Sequence, residues 1–225
     1  MSGETPRPTV PGATPLSPSE LGYVDRMYRA TETIHDVVYF SPIARGIYRT
    51  SGFEDVWGAY FALRAAPLGR ASADLVEATF YNFHPEMIRR YVPDIWRQLS
   101  PEEAIALRRR ATRESLEDAF GSTITVSPSL RSMLREAIRL TPSSGCTLFS
   151  GNRHLALVAD DDPIDSLWQL LTAIREHRGD VHIAALVVAG LSGLEAHLLT
   201  ESVRRSTPSK LERYRGWGES EITQA

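Results

Sequence analysis

The stretch that decides the fold class spans residues 168–201 and reads WQLLTAIREHRGDVHIAALVVAGLSGLEAHLLTE. Two apolar segments with helical spacing flank a short turn, AGLS at 189–192, which combines small residues with a glycine. This pattern is typical of a helix-turn-helix and equally of any tight helical hairpin. The sequence therefore predicts two consecutive helices that read DNA, pack as a structural hairpin or present a surface to a partner.

Ionisable residues crowd the middle of the same stretch, in REHRGDVH at 175–182. One interpretation is a solvated helix end, in which Gly179 ends one helix and Asp180 caps the next. It leaves His182, Glu195 and His197 unexplained, because they lie on apolar helical segments. The other interpretation is a functional site in which these three residues are candidate acid–base groups. Their spacing matches no established metal-binding motif, so the sequence predicts no metal ion, and no cofactor is expected.

Helix starts are marked by one repeated device, a serine or threonine followed by proline. The hydroxyl accepts hydrogen bonds from exposed backbone N–H groups, and proline suits the first helical position because its φ angle is preset. A glutamate three residues after Ser17 and after Ser100 predicts a capping box at both places. The device occurs at Ser17, Ser41, Ser100, Ser127 and Thr207.

Apolar periodicity predicts a mostly-α fold, a multi-helix orthogonal bundle with helix-turn-helix-like hairpins and little or no sheet. Strand signals are short and isolated, at 122–126 and 146–149. We expect a disordered Pro-rich tail at 1–16, an N-terminal helical region with an aromatic cluster at 17–140 and a C-terminal helical region at 141–225. After a first helix with an apolar stripe from 21 to 38, the predicted helices are 53–66, 71–81, 85–98, 101–119, 128–140, 163–178, 181–190, 193–205 and 208–215.

The composition excludes several classes of protein. A net charge of −3 gives no overall attraction to nucleic acid or anionic lipid, so any such contact depends on a local basic patch. The single cysteine, Cys146, excludes an internal disulfide, and its small-residue loop without a basic neighbour predicts an inert thiol. No apolar run reaches the roughly 18 residues of a membrane span, and the N-terminal residues do not resemble a secretory signal. We therefore expect a cytoplasmic protein without membrane contact.

A second group of candidates is aromatic and surrounds Arg64, in YFALRAAPLG at 60–69. A guanidinium among apolar residues requires an anionic partner, because an unpaired buried charge is costly. That partner is either internal, with Asp180 and Glu195 as examples, or the carboxylate or phosphate of a small ligand. An aromatic-lined cleft suits ligand binding, although aromatic residues at helical spacing equally form a core. The candidate ligand-binding residues are His35, Tyr60, Arg64, Tyr81, Asn82, His177, Arg178 and Asp180.

Four strings together resemble a family of largely uncharacterised actinobacterial proteins: YFALRAAPLG at 60–69, ATFYNFHP at 78–85, REHRGDVHIAALVVAGLSGLEAH at 175–197 and RGW at 215–217. The resemblance implies a helix-turn-helix fold with a winged-helix element like that of MarR-type regulators. In the family pattern RGW precedes an acidic helix start, a long recognition helix and a glycine-containing wing. Here GESEITQA at 218–225 follows, which covers only the first turns of that helix. We therefore expect DNA reading through this module to be weakened or lost.

Basic residues near the C-terminus are the candidate DNA contacts, and a solvated helix end explains them equally well: Arg204, Arg205, Lys210 and Arg213. Three hypotheses follow. The first is a small-molecule-binding helical protein derived from a helix-turn-helix regulator family. The second is a ligand-responsive transcriptional regulator that binds DNA as a homodimer. The third is a cofactor-independent enzyme with His182 or His197 as general base.

Overall fold

The computed structural model describes residues 16–92, 94–121, 125–158, 162–204 and 214–224, without the side chains of 200–204. These residues form helices and connecting turns, with no strand among them, which confirms the mostly-α prediction. The helices are α1 (Pro18–Phe40), α2 (Pro42–Thr50), α3 (Val56–Ala65), α4 (Ala73–Thr79), α5 (Pro85–Tyr91), α6 (Ile95–Gln98), α7 (Pro101–Phe120), α8 (Pro128–Leu140), α9 (Thr147–Val158), α10 (Pro163–Val188), α11 (Gly193–Arg204) and α12 (Glu219–Gln224).

The predicted serine–proline caps begin helices in the described ranges. The hydroxyls of Ser17, Ser41, Ser100 and Ser127 each accept from a backbone N–H three residues later, and proline occupies the first turn. Both predicted capping boxes are present, at α1 and α7. The pair at Thr207 lies outside the described residues. Local capping therefore determines the residues at which these four helices begin.

Helix α9 was missed by the sequence patterns. The segment 146–149, predicted as a short strand, instead ends the preceding turn and begins α9. Of the other predicted strand, 122–124 lies outside the described residues, and Thr125 and Val126 belong to no strand. Cys146 is buried beside the start of α9, where burial, and then the nearby Asp180, raises the pKa of its thiol. A raised pKa fits the inert thiol that the sequence predicts.

The prediction that Gly179 ends a helix is wrong, because α10 continues through it to Val188. Asp180 does not cap its own helix. Its carboxylate accepts from the N–H groups of Leu148, at 3.4 Å, and Phe149, at 2.9 Å, in the first turn of α9. A glycine inside a helix costs only about 1 kcal/mol. Two buried N–H groups without acceptors would cost more, so tertiary capping favours the continuous helix.

The apolar core forms two clusters, one centred on α3 and one under α10. Around α3, fully buried Phe61, Leu63 and Phe80 pack with residues of α1, α2, α5 and α7. The second cluster joins α8, α9 and α10 through Phe149 and Leu170. Helix α10 is 26 residues long and packs against α1, α7, α8 and α9. It therefore connects the two clusters.

Helices α10 and α11 follow each other across a short turn, as predicted, and meet at 98°. The turn between them uses Gly190 with φ +70°, and the Tyr81 hydroxyl donates to the Leu191 carbonyl at 2.6 Å. At the start of α11 a Cβ on Gly193 would lie 2.1 Å from the Tyr81 carbonyl oxygen. No single helix in the described ranges is long and apolar enough to cross a membrane, while the bent α10–α11 pair meets that test by length and composition.

We predict that Gly193→Ala lowers the free energy of unfolding by about 2–3 kcal/mol, because the added methyl group meets backbone rather than a flexible side chain. Urea unfolding followed by circular dichroism measures the change. Gly46→Ala is the matched control, since its Cβ meets nothing within 4 Å inside α2. It should leave stability unchanged or raise it by up to about 1 kcal/mol. Equal effects of the two substitutions would contradict the close approach of α11 to the loop.

Candidate functional site

Arg64 lies in the last turn of α3 and has an internal partner. Its Nε donates to Glu176 Oε1 at 3.0 Å and its Nη2 to Oε2 at 2.8 Å, a bidentate pair. Its Nη1 donates to the Tyr60 hydroxyl at 2.9 Å, and the guanidinium lies 4.5 Å from the centre of the Phe80 ring. The internal partner is therefore Glu176, and not Asp180 or Glu195. On α10, Glu176 faces α3, whereas Asp180 lies one turn later and accepts from the first turn of α9.

Glu176 holds a second arginine and remains ionised. Arg175 Nη1 donates to its Oε1 at 3.2 Å. Burial alone would raise the pKa of Glu176, but Arg64 and Arg175 outweigh it and hold that pKa well below its usual range. Glu32 on α1 extends the network, with Arg175 at 3.4 Å and Arg178 at 3.0 Å. Arg178 also lies over the ring of Tyr28 at 4.2 Å. These ion pairs connect α1, α3 and α10.

A cleft of about 170 Å³ opens beside this network, between α3, the loop at 80–84, α10 and the C-terminal segment. It brings together five of the residues predicted to bind a ligand and one of the predicted histidines. Aromatic rings and guanidinium groups dominate its wall. The lining residues are Tyr60, Arg64, Thr79, Phe80, Tyr81, Asn82, Phe83, Arg175, Arg178, Gly179, His182, Ile183 and Arg215.

Three predicted ligand residues lie away from this cleft. His35 is fully buried, stacks on Trp168 at 5.7 Å, and its Nδ1 lies 3.0 Å from the Thr172 hydroxyl. Burial holds the pKa of His35 well below its usual value, with Arg175 adding to the effect. The His177 ring meets Phe149 edge-on at 5.0 Å, and Asp180 caps α9. Each of these side chains has a structural contact in the bundle.

The acid–base candidates do not share one place. Glu195 Oε2 accepts from the Ser192 N–H at 2.7 Å in a capping box, which lowers its pKa. His197 is half-buried, and burial, followed by the charge of Arg215, lowers its pKa to about 4. Of the three, only His182 lines the cleft. Among the residues that the structure describes, no three His, Cys, Asp or Glu side chains are placed to share a metal ion.

Arg215 lines the cleft, although the sequence patterns gave it only as part of the RGW string. Its guanidinium lies 4.5 Å from the centre of the Phe83 ring, and burial, with Arg64 and Arg175 nearby, lowers its pKa. Its Nη1 donates to the Tyr214 carbonyl at 3.0 Å. Within the described ranges no carboxylate forms an ion pair with it. Arg215 is therefore a half-buried cation without an acidic partner.

The RGW segment packs against the loop at 80–84 and the first turn of α5. These contacts position Arg215. The His84 N–H donates to the Arg215 carbonyl at 2.9 Å, and the Trp217 indole N–H donates to the Asn82 carbonyl at 3.1 Å. His84 Nε2 lies 3.0 Å from Glu221 on α12. Gly216 adopts φ +82°, and a Cβ there would meet Met87 at 2.9 Å. The segment therefore forms one wall of the cleft.

The candidate DNA contacts lie at or beyond the edge of the described part of the chain. Arg204 ends α11, but its side chain lies outside the described part of the chain. Arg205, Lys210 and Arg213 also fall outside the described ranges. Their role in DNA binding stays a prediction.

Comparison with known proteins gives one match. The model of a protein family described as "Helix-turn-helix family" matches residues 24–225, most of the chain. No curated protein and no solved structure matches the chain. The matched range contains the cleft, the α10–α11 hairpin and the RGW segment.

We predict that Glu176→Gln lowers the free energy of unfolding by about 3 kcal/mol, because it leaves two buried guanidinium groups without their shared carboxylate. The double substitution Arg64→Met/Glu176→Leu should recover most of this loss, since it removes the Arg64 charge together with its partner. Urea unfolding of the single and double variants measures both. Asp25→Asn, which breaks the exposed pair with Arg29, is the control and should change stability by less than about 0.5 kcal/mol. A loss from Glu176→Gln no larger than that of the control would contradict the buried network.

Proposed function

Because the chain belongs to a helix-turn-helix family, we propose that it is a regulator-like helical protein that binds a small anionic molecule in the cleft beside α10. The single observation that carries this proposal is Arg215, a half-buried guanidinium without an acidic partner among the described residues. A buried cation of this kind gains stability from an anion that reaches it.

The charges around the cleft favour an anion as ligand. Four guanidinium groups line it, those of Arg64, Arg175, Arg178 and Arg215. The carboxylates that pair with them in the described residues are Glu32 and Glu176. Two positive charges therefore exceed the acidic ones, and a cleft lined by charges of one sign concentrates their field. Arginine also offers paired N–H groups that fit a carboxylate or phosphate.

The walls of the cleft favour a small ligand with an apolar body. Tyr60, Phe80 and Phe83 present aromatic surface next to the guanidinium groups. The volume of about 170 Å³ holds roughly five or six water molecules, which excludes a dinucleotide or other large cofactor. We therefore propose a carboxylate or phosphate attached to a small apolar or aromatic group. Apolar walls with a few placed charged groups are typical of small-molecule sites.

We predict that benzoate binds to the protein with a dissociation constant between micromolar and millimolar, and that Arg215→Met weakens the binding at least about 10-fold, since a charged hydrogen bond is lost. Titration calorimetry gives the affinity, and the arginine Nε–H resonances show which guanidinium groups respond. Arg26→Met, on the exposed face of α1, is the matched control and should leave the affinity unchanged. The proposal would be rejected if neither benzoate nor inorganic phosphate bound to the protein. It would also be rejected if Arg215→Met and Arg26→Met bound them equally.

A second candidate function is a DNA-binding regulator, which the family match favours. The 98° crossing of α10 and α11 is compatible with a helix-turn-helix unit. We propose that α12 begins the second helix of a MarR-type winged module. In this proposal the protein is a cytoplasmic homodimer that contacts phosphates through Arg204, Arg205, Lys210 and Arg213.

For this second function we expect the protein to prefer DNA from upstream of its own gene over scrambled DNA, with affinity that falls steeply between about 50 and 200 mM salt. Fluorescence anisotropy measures both. Arg204→Ala/Arg205→Ala should reduce the salt slope by about two, one for each lost phosphate contact. The exposed double substitution Arg26→Ala/Arg29→Ala is the control. Equal, weak binding of both DNAs would reject sequence-specific recognition and leave the ligand proposal untouched.

A further inference from the structure

Arg108 on α7 is a fully buried arginine that lies outside the cleft. Its side chain is among the largest that are fully buried, and burial lowers its pKa. Its acceptors are neutral: the Leu63 carbonyl at 3.2 Å, Asn152 Oδ1 at 3.5 Å and Gln169 Oε1 at 2.7 Å. Among the described residues it forms no ion pair with a carboxylate, and its Nε–H has no acceptor. The guanidinium edge that carries Nε therefore remains unsatisfied.

Two more buried hydroxyl donors lie on α1 and α7. The hydroxyls of Tyr39 on α1 and Thr112 on α7 are shielded from solvent and lack partners in the described structure. Thr112 follows Arg108 by four residues, so both lie on one face of α7. Tyr39 is buried on the side of α1 that meets α7.

Contacts between α1 and α7 show that Tyr39 and Thr112 lie at similar positions along the two helix axes. At one level the Ser41 and Ser115 hydroxyls lie 2.6 Å apart. At the other level both His35 and Arg108 contact the ring of Trp168. The centre of the His35 ring lies 5.7 Å from the centre of that ring, and the Arg108 guanidinium carbon lies 5.0 Å from it. Tyr39 lies four residues after His35, and Thr112 four residues after Arg108. Both unsatisfied hydroxyls therefore fall between the two levels, about one helical turn along from the residues that contact Trp168.

No buried carboxylate among the described residues forms an ion pair with Arg108. Asp165 pairs with Arg109 and Arg113, and Asp180 accepts from the backbone N–H groups at the start of α9. Glu176 is bonded to Arg64 and Arg175, and Glu32 to Arg175 and Arg178, so neither carboxylate reaches Arg108. A buried charge is stable when an opposite charge and hydrogen bonds compensate it.

We propose that one halide ion, such as chloride, binds between α1 and α7 and accepts hydrogen bonds from Arg108 Nε, the Thr112 hydroxyl and the Tyr39 hydroxyl. The three groups can all donate and belong to residues at most 3 % exposed. A monatomic anion suits them because their shielding from solvent leaves no route for a carboxylate or phosphate with a body attached. A water molecule is the competing occupant, and it would leave the charge of Arg108 without a counterion.

The test compares thermal unfolding in chloride and in gluconate at equal ionic strength, since gluconate is too large for a closed site. With about 200 mM chloride the unfolding midpoint of the wild type should lie roughly 3–5 °C higher than in gluconate. Thr112→Val should abolish this difference. In gluconate the variant should be at least as stable as the wild type, because it no longer buries a hydroxyl without a partner. Tyr39→Phe should reduce the difference in the same way.

Two controls separate this site from others. Thr33→Val makes the same change on the exposed face of α1, where the hydroxyl bonds to the Arg29 carbonyl, and should keep the full chloride effect. Arg215→Met disables the cleft and should also keep it. In crystals soaked in bromide, an anomalous peak should lie between α1 and α7. Equal midpoints in the two salts, or a soaked wild-type crystal without that peak, would overturn the proposal.

Discussion

The bidentate pair between Arg64 and Glu176 is the constraint on which the rest of the structure depends. Arg64 occupies a helix whose other residues are almost all buried, and its charge is tolerated there because a carboxylate meets it from α10. Glu176 reaches it because α10 places this buried carboxylate opposite the last turn of α3. Because the same carboxylate also binds Arg175, and Arg175 meets Glu32, one set of ion pairs orients α1, α3 and α10. The cleft opens beside these charges, between α3, α10, the loop at 80–84 and the C-terminal segment.

The loop at 80–84 gives the cleft and the hairpin a common wall. Phe83 supports Arg215, and the Asn82 carbonyl accepts from Trp217, so the loop holds the C-terminal segment in place. Tyr81 lines the cleft, donates to Leu191 in the turn and meets Gly193 through its carbonyl. An occupant of the cleft would therefore touch the same few residues that position α11. The loop at 80–84 therefore links the cleft to the turn between α10 and α11.

Sequence patterns predicted the features whose causes are local. Serine–proline caps gave four helix starts, at α1, α2, α7 and α8. The start of α9 was missed because its cap, Asp180, comes from another helix, and the end predicted at Gly179 was wrong for the same reason. For the site, the need of Arg64 for an anion was predictable, but the choice of Glu176 over Asp180 depends on how α10 packs against α3 and α9. Arg215 was missed because its burial on Phe83 arises only from tertiary contact.

The cap that Asp180 provides for α9 has a consequence for the order of folding. The first turn of α9 depends on a carboxylate that belongs to the next helix, so α9 by itself lacks acceptors for two of its N–H groups. Short helices in isolation are marginal, and this one gains its start only when α10 lies against it. The segment from 147 to 188 should therefore form and open as a single cooperative unit, within which the amides of Leu148 and Phe149 exchange their hydrogens together with those of the second helix.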